Sequence, residues 1–369
     1  MLNVGERWRA RPAARRRSGE EAAGAGDHGS GSKESGSAPP RWHFSAAPPE
    51  GWADELERAG GGFFHSPLGL KVGAPAGEPI YCSLHQGEVV VGVALGVRSG
   101  CRLSPRPRHV YFPAFPAIAV APWRERALAA LVDELGRLGA AEVIIDPYDT
   151  RWMPERVPFA EGAPRVEHLI PLDVCPEEMM QRFGDTFRRT CRRGGREGWR
   201  LSPLSGEGAR AALQQVQASA ALRALEHGRA FFPAVVGSLE APAFRGGGGV
   251  QAFAALAGET LLAAALVGIA ARRGYYVLGG STPEGYRCRA AVWLHWRIMG
   301  WLRERGCRAY NLGGTPAASA HPDDPGHGLF RFKSAFGGEL VPSQGARWIP
   351  RPLHIFLHHA VRRAGALRR

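Results

Sequence analysis

Apolar residues along the chain fall into two patterns. Short alternating or continuous apolar runs between turn formers predict strands over Ile80–Leu84, Val89–Val97 and Glu142–Asp146, and again over Val250–Ala257, Thr260–Ala271 and Gly274–Gly280. His85-Gln86-Gly87-Glu88 reads as the hairpin loop of the first pair, and His109–Val120 reads as a strand interrupted by Pro113 and Pro116. Apolar positions three and four apart predict helices over Trp123–Leu138, through Ala127, Leu131, Leu135 and Leu138, and over Ala290–Arg305. Shorter helices are expected at Pro49–Ala59, Gly208–Leu225 and Ala234–Leu239, the last after Phe231-Phe232-Pro233. Pro283–Cys288 reads as a loop and Trp199–Pro203 as a strand.

Strands mixed with long helices predict an α/β, or mixed α+β, layered architecture. The chain divides into a folded unit over 41–172, a basic connector helix over 173–198 and a second folded unit over 199–350. Residues 1–40 are rich in Arg, Gly and Ser, and their composition predicts a disordered tail. Over 351–369, Leu353, Phe356, Leu357, Ala360, Val361, Ala364 and Leu367 share one helical face, and Arg362, Arg363, Arg368 and Arg369 cluster at the end. That pattern predicts a basic amphipathic helix, which packs on the body or touches an anionic membrane surface.

The formal charge of +13 points to anionic partners. Its densest stretch is the connector, where Arg188, Arg189, Arg192 and Arg193 recur at helical spacing and form a candidate polyanion-binding stripe. The six cysteines form no C-x-x-C pair, and no Cys/His spacing fits a zinc site, so no metal is expected. The chain has no apolar run long enough to span a membrane and no secretory leader pattern, which predicts a cytoplasmic protein, membrane-peripheral at most. His109, Asp146 and Asp149 have no partner in sequence, and turn roles are expected for both aspartates.

Chemistry concentrates in residues 308–340. A strand over Arg308–Leu312 runs into Gly313-Gly314, a proline-rich polar loop follows, and a helix over Leu329–Phe336 ends at Gly337-Gly338. Lys333 lies on that helix. Of 47 Lys and Arg only Lys33, Lys71 and Lys333 are lysine, so a lysine here is a departure from the chain's habit. Phe332 and Phe336 face the core together at i, i+4, leaving Lys333 to point toward the glycine pair.

The segment YNLGG followed by GLFRFKSAFGGE resembles the last β-loop-α element of FemAB-like proteins. That group within the GNAT acyltransferase fold includes the enzymes that add amino acids to peptidoglycan precursors. Gly328, Leu329, Phe332, Lys333, Phe336, Gly337 and Gly338 match its pattern, and Asn311 stands where the usual form has aspartate. Arg189, Arg192, Arg193 and Gly198 approximate the basic entry to the second domain of these proteins. The resemblance implies tandem GNAT-like domains, each a mixed twisted sheet flanked by helices. It implies an N-acyltransferase that carries an acyl or aminoacyl group directly to an amine acceptor, in cell-envelope or peptidoglycan metabolism. The donor would be acyl-CoA or aminoacyl-tRNA, used as co-substrate with no tightly bound cofactor. The acceptor would be an amine-bearing small molecule or a cell-wall precursor. Lys333 is the candidate catalytic residue. Arg287, Arg289, Asn311, Gly313, Gly314, Gly328 and Phe332 are the candidate donor-binding residues, the two arginines flanking the start of a helix whose open N–H groups favour anions.

A covalent acyl-enzyme finds no support, because there is no G-x-S-x-G elbow and no cysteine with a base close by in sequence. Two other classes compete with the transferase. One is a non-catalytic nucleic-acid or polyanion binder using the arginine stripe, which lacks regular aromatic interleaving. The other is a degenerate scaffold that has lost activity with the aspartate at position 311.

Overall fold

The computed structural model describes residues 40–74, 76–100, 109–149, 151–217 and 249–350. The expectations for the N-terminal tail, for Ala234–Leu239 and for the helix over 351–369 lie outside the described residues. In chain order the first half holds β1 (Arg41–Ser45), α1 (Trp52–Ala59), α2 (Pro67–Gly73), β2 (Glu78–Gln86), β3 (Val89–Ser99) and β4 (His109–Phe112). The two-residue β5 (Ala117–Ile118), α3 (Arg124–Arg137), β6 (Glu142–Ile145) and β7 (Phe159–Pro171) complete it. Two helices follow, α4 (Pro176–Arg182) and α5 (Asp185–Arg196). The second half holds β8 (Arg200–Leu204), α6 (Gly206–Gln217), β9 (Gly249–Ala257), β10 (Thr260–Ala270) and β11 (Arg273–Ser281). It ends with α7 (Pro283–Cys288), α8 (Ala290–Glu304), β12 (Ala309–Pro316), α9 (His327–Ser334) and β13 (Glu339–Trp348).

All strands join one sheet in the order β1-β2-β3-β4-β6-β13-β7-β12-β11-β10-β9-β8, with β5 alongside β3. The order shows the repeat that the residues hide. Exchanging β1, β2, β3, β4, β6 and β7 for β8, β9, β10, β11, β12 and β13 reproduces the same order read from the other end. Each half has one parallel contact, β4 with β6 and β11 with β12, spanned by a helix, α3 or α8. Each half also gives up its last strand: β7 pairs with β12 of the second half, and β13 pairs with β6 of the first. The two exchanged strands pair antiparallel with each other at the centre. The expected tandem α/β architecture is therefore present, with the two halves joined in one continuous mixed sheet.

Helix α8 fits its setting. Val292, Trp293, Leu294, Ile298, Met299 and Leu302 are buried, so the helix is apolar around most of its girth and packs on the face of β9–β12. Helix α3 buries only a stripe, through Ala127, Leu128, Leu131, Val132 and Leu135, against the first half's core.

Three expectations need correction. Strand β7 is not expected from its residues, because FAEGAPRVEHLIP carries Gly162, Pro164 and charges instead of clean alternation. It is central all the same, held by two neighbours whose backbone bonds override a weak local pattern. Pro283–Cys288 is a short helix, begun by the Thr282 hydroxyl, which accepts from the Gly285 N–H at 3.1 Å. The connector is two helices that break at Phe183-Gly184, where the Gly184 N–H donates to the Ala335 carbonyl at 3.0 Å.

Gly337 fixes how the connector meets the last strand. Its φ is 68°, and a Cβ there would lie 2.2 Å from the Arg182 carbonyl oxygen, a backbone atom. Gly337→Ala combines left-handed strain with a backbone clash and is expected to destabilise the protein by more than about 1 kcal/mol. Denaturant unfolding checks this, and an unchanged midpoint would show that the α4–β13 junction yields freely.

Candidate active site

Strands β11 and β12 pair only through Arg273–Tyr275 and Ala309–Asn311. Beyond that point β12 keeps only its pairing with β7, which runs along its other edge from Ala309 to Pro316. A wedge therefore opens between β11 and β12, and the residues that border its start carry most of the buried charge in the molecule.

Asn311 sits at this point, 1% exposed. Its amide donates to Asp149 at 3.0 Å and to Glu167 at 2.8 Å, and its oxygen accepts from the Gly313 N–H at 2.8 Å. Asp149 pairs with Arg273, a buried ion pair in which both side chains are almost wholly out of water. The backbone N–H of Asp149 donates to the other oxygen of Glu167 at 3.0 Å. Burial, and the charge of Asp149 beside it, push the Glu167 carboxyl up to about 7. The cluster draws Asp149 from the loop after β6, Glu167 from β7, Arg273 from β11 and Asn311 from β12, so it stitches the two halves together. Asp149 does take a turn conformation, with φ 51°, but it is far from partnerless. Neither are the other two residues expected to stand alone: Asp146 accepts from Tyr111 at 2.5 Å, and His109 meets Glu142 at 2.6 Å.

The Asn311 side chain holds the Gly313 N–H while Gly313 turns left-handed, at φ 75°. A Cβ on Gly313 would lie 3.2 Å from the Tyr275 hydroxyl and 3.6 Å from Lys333 Nζ, so both polar tips converge on this glycine. Lys333 points inward from α9 and is 6% exposed, and its ammonium donates to the Gly314 carbonyl at 3.2 Å. Burial, then the nearby Arg165, lower its pKa to about 7, against the pull of Glu167. Two histidines near Lys333 are held neutral. His168, between Thr315 and Ser334, is lowered to about 4 by burial and by Lys333. His295, bonded to the Tyr310 hydroxyl at 2.9 Å, is lowered to about 3 by the same causes.

On the other side of α9 lies a groove of about 720 Å³. Phe187, Phe330, Phe332 and Val292 give it an apolar lining, and Ser281, Arg289 and Gly328 also border it. Helix α8 opens here without a side-chain cap, behind Arg289 in the left-handed region at φ 60°. Thr186 and Arg289 also line an adjoining basin of about 840 Å³ that carries Arg189, Arg192, Arg193 and Arg196. Among the described residues no carboxylate pairs with Arg189, Arg192, Arg196 or Arg289.

The expected site residues therefore separate into two groups. Arg289, Gly328 and Phe332 meet in the groove, whereas Asn311, Gly313, Gly314 and Lys333 meet at the wedge, with α9 between. Arg287 is exposed and borders neither. The side chain of Asn311 is fully used by the protein's own carboxylates and by Gly313. The arginine stripe is not uniform. Arg188 turns to Asp185 and the Gln181 carbonyl, and Arg193 turns to the Cys288 carbonyl and lies over the Trp199 ring, while Arg189 and Arg192 face open space with Arg196. Glu167, Arg273, Tyr275, Arg165 and His168 are additions from the structure. Three of these lie on β7, the strand without a clean pattern, so nothing in the sequence drew attention to them.

The cluster predicts its own weak point. Asn311→Asp removes two donated hydrogen bonds and adds a third carboxylate beside Asp149 and Glu167. A loss on the order of 2–3 kcal/mol is expected near neutral pH. The new carboxyl would have a raised pKa in the folded state, so it stays protonated and less costly at low pH, and the loss grows as pH rises through that pKa. Unfolding curves at pH 5 and pH 8 test the sign, and a loss that is larger at pH 5 would contradict it.

Residues 181–334 match the acetyltransferase (GNAT) domain family, which spans α5 through α9. No curated relative matches the sequence. Among solved structures the fold is similar to that of FemX, with a TM-score of 0.58 at 15% identity over 82% of this chain and 98% of that one. It is also similar to a conserved protein of unknown function from Bacteroides thetaiotaomicron, with a TM-score of 0.50 at 10% identity over 77% of this chain and 89% of that one. Residues 181–334 thus carry an acetyltransferase (GNAT) domain, and with its motif at 310–338 and its twice-repeated strand order the chain shares the fold of FemX.

Proposed function

We propose that the protein transfers an acyl or aminoacyl group from a donor in the apolar groove to an amine acceptor, with the reacting carbonyl in the β11–β12 wedge. One observation carries this reading. A buried lysine with a pKa near 7 stands against the left-handed Gly313 and its neighbour Gly314 at the mouth of a wedge, beside a groove whose far end is lined by unpaired arginines. The groove suits the apolar arm of a donor, and Arg189, Arg192, Arg196 and Arg289 suit its phosphates. Acyl-CoA and aminoacyl-tRNA both present that combination. A role in cell-envelope metabolism rests on the FemAB-like resemblance, with an amine-bearing small molecule or a cell-wall precursor as acceptor. No described helix is long and apolar enough to cross a membrane. A cytoplasmic site of action with peripheral membrane contact is part of the proposal.

In the transfer step the acceptor nitrogen attacks the donor carbonyl carbon, and the carbonyl oxygen gains negative charge. The Lys333 ammonium supplies a hydrogen bond to that oxygen, which grows stronger as the charge develops. Collapse expels the thiol or tRNA hydroxyl, which leaves with a proton, while the acceptor nitrogen releases one. Direct transfer within one complex needs no covalent enzyme intermediate.

Incubating the protein separately with labelled acyl-CoA and labelled aminoacyl-tRNA identifies the donor by retained label. If both fail to bind, the transferase reading fails with them. Lys333→Met keeps the stem and removes the charge, and turnover is expected to fall about a hundredfold or more. Its folded pKa is lowered, so the charged lysine costs stability below pH 7, and that cost fades as pH rises toward its ordinary value. The Met variant should therefore melt no lower than the parent at pH 6. Full activity would remove Lys333 from the chemistry, and a collapsed melt would make its role structural. Replacing Arg189, Arg192 and Arg196 with Gln should weaken donor binding and flatten its salt dependence by about one unit of slope for each phosphate no longer neutralised. An unaltered salt titration would place the donor's phosphates elsewhere.

A further inference from the structure

The first half contains a pocket of about 200 Å³ that shares no lining residue with the groove or the arginine basin. Three arginines stand around it: Arg58 at the end of α1, Arg124 at the start of α3, and Arg151 after β6. Among the described residues none of the three has a carboxylate within ion-pairing distance. Arg58 reaches only the Asp54 carbonyl and Arg124 only the Ile118 carbonyl, both at 3.4 Å. Burial, with the repulsion of Arg273 and Arg124, holds the Arg151 guanidinium below its ordinary value. The one acid lining the pocket offsets the repulsion on Arg151 only in part and is engaged elsewhere. One oxygen of Asp149 is taken by Arg273 and Asn311, and the other is shut off from solvent against Gly62. His65 on the floor is also committed, accepting from the Gly62 N–H at 3.2 Å and donating to the Phe115 carbonyl at 2.8 Å.

One wall is apolar and rigid. The Trp152 indole N–H donates to the Pro116 carbonyl at 2.9 Å, the ring rests on Phe115, and the Arg124 guanidinium lies over it at 5.9 Å. Three positive charges facing one small concavity, with a flat aromatic wall behind, make a receptor for an anion on an apolar body. The volume holds about six or seven waters at ~30 Å³ each, the size of a one-ring acid.

We propose that the first half carries a second binding site, for a small ligand whose carboxylate or phosphate is held by Arg58, Arg124 and Arg151 while its apolar body lies against Trp152. The site is independent of the donor groove and of the transfer reaction. Its occupant would rest against Asp149 and so touch the cluster that joins the halves.

Calorimetric titration of the full chain tests this with benzoate, phenyl phosphate, inorganic phosphate and benzyl alcohol. Saturable binding of benzoate or phenyl phosphate is expected, and the tighter of the two identifies the anion. Inorganic phosphate should bind at least tenfold more weakly, and benzyl alcohol should not bind. Arg124→Gln with Arg151→Gln should weaken binding at least tenfold, and the corresponding Lys pair should restore part of it. Arg189→Gln with Arg192→Gln, in the separate basin, should leave it unchanged. If the Gln pair melts early, Arg151→Gln alone should still weaken binding about threefold. The proposal is overturned if neither acid saturates, or if the pocket variants bind like the parent. It also fails if inorganic phosphate matches phenyl phosphate, or if binding is lost in the basin variant instead.

Discussion

The buried pair of Arg273 and Asp149 is the contact on which the centre of the molecule depends. A charge pair taken out of water repays its desolvation only if its remaining hydrogen-bonding positions are met, and removing one partner strands the other. Here the surroundings meet that demand in part: Asp149 Oδ1 also accepts from Asn311 and its N–H is taken by Glu167, whereas Asp149 Oδ2 and Arg273 Nε and Nη1 are buried without a protein partner. The consequence is positional. Arg273 opens β11 and reaches across to the first half, so the start of β11 is pinned beside β12 for three residues before the strands part. Asn311 then hands the constraint on, because the oxygen that holds the Gly313 N–H belongs to the side chain that holds the two carboxylates. The left-handed turn at Gly313, and with it the place where Lys333 and Tyr275 converge, follows from an ion pair between two halves of the sheet.

This also accounts for the departure at position 311. An aspartate there would meet Asp149 and Glu167 as a third carboxylate with one guanidinium to share. Asparagine donates to both acids and still presents an oxygen to the backbone, so it completes a network that already holds enough negative charge. The change in residue type therefore fits its neighbours and is no sign in itself of a decayed site.

How far the sequence could be read depended on how local the cause was. Helices α3 and α8 and strands β2, β3, β9 and β10 were legible because their apolar spacing is set by one face or two, and that spacing lies within a few residues. The aim of Lys333 at the glycine pair was legible from the i, i+4 pair of Phe332 and Phe336, whose rings meet edge to face at 5.4 Å, but its burial was not, and Phe332 also lines the groove. Strand β7 was not, since its place depends on β12 and β13, which lie more than a hundred residues further on. Glu167 and His168 went unseen with it. Asp149 was visible as a residue, and its turn was legible too, but its partner Arg273 lies 124 positions away, and no pattern links them.

The arginine habit of the chain gives the single buried lysine its meaning. Guanidinium stays charged at every accessible pH, and its fork demands several acceptors. Among the described residues several such groups line the open basin and the rim of the first-half pocket, where solvent or an anionic ligand can meet them, and the buried one at the centre, Arg273, is paired with Asp149. At the wedge the space beside Gly313 and Gly314 offers Nζ one carbonyl, at 3.2 Å, and the two histidines nearby stay neutral. An arginine there would carry a permanent charge with most of its donors unmet. A lysine needs fewer partners, and burial has brought its pKa to about 7, so it can change its charge under ordinary conditions. The residue type, its burial and its one hydrogen bond thus agree on a position where positive charge is available on demand.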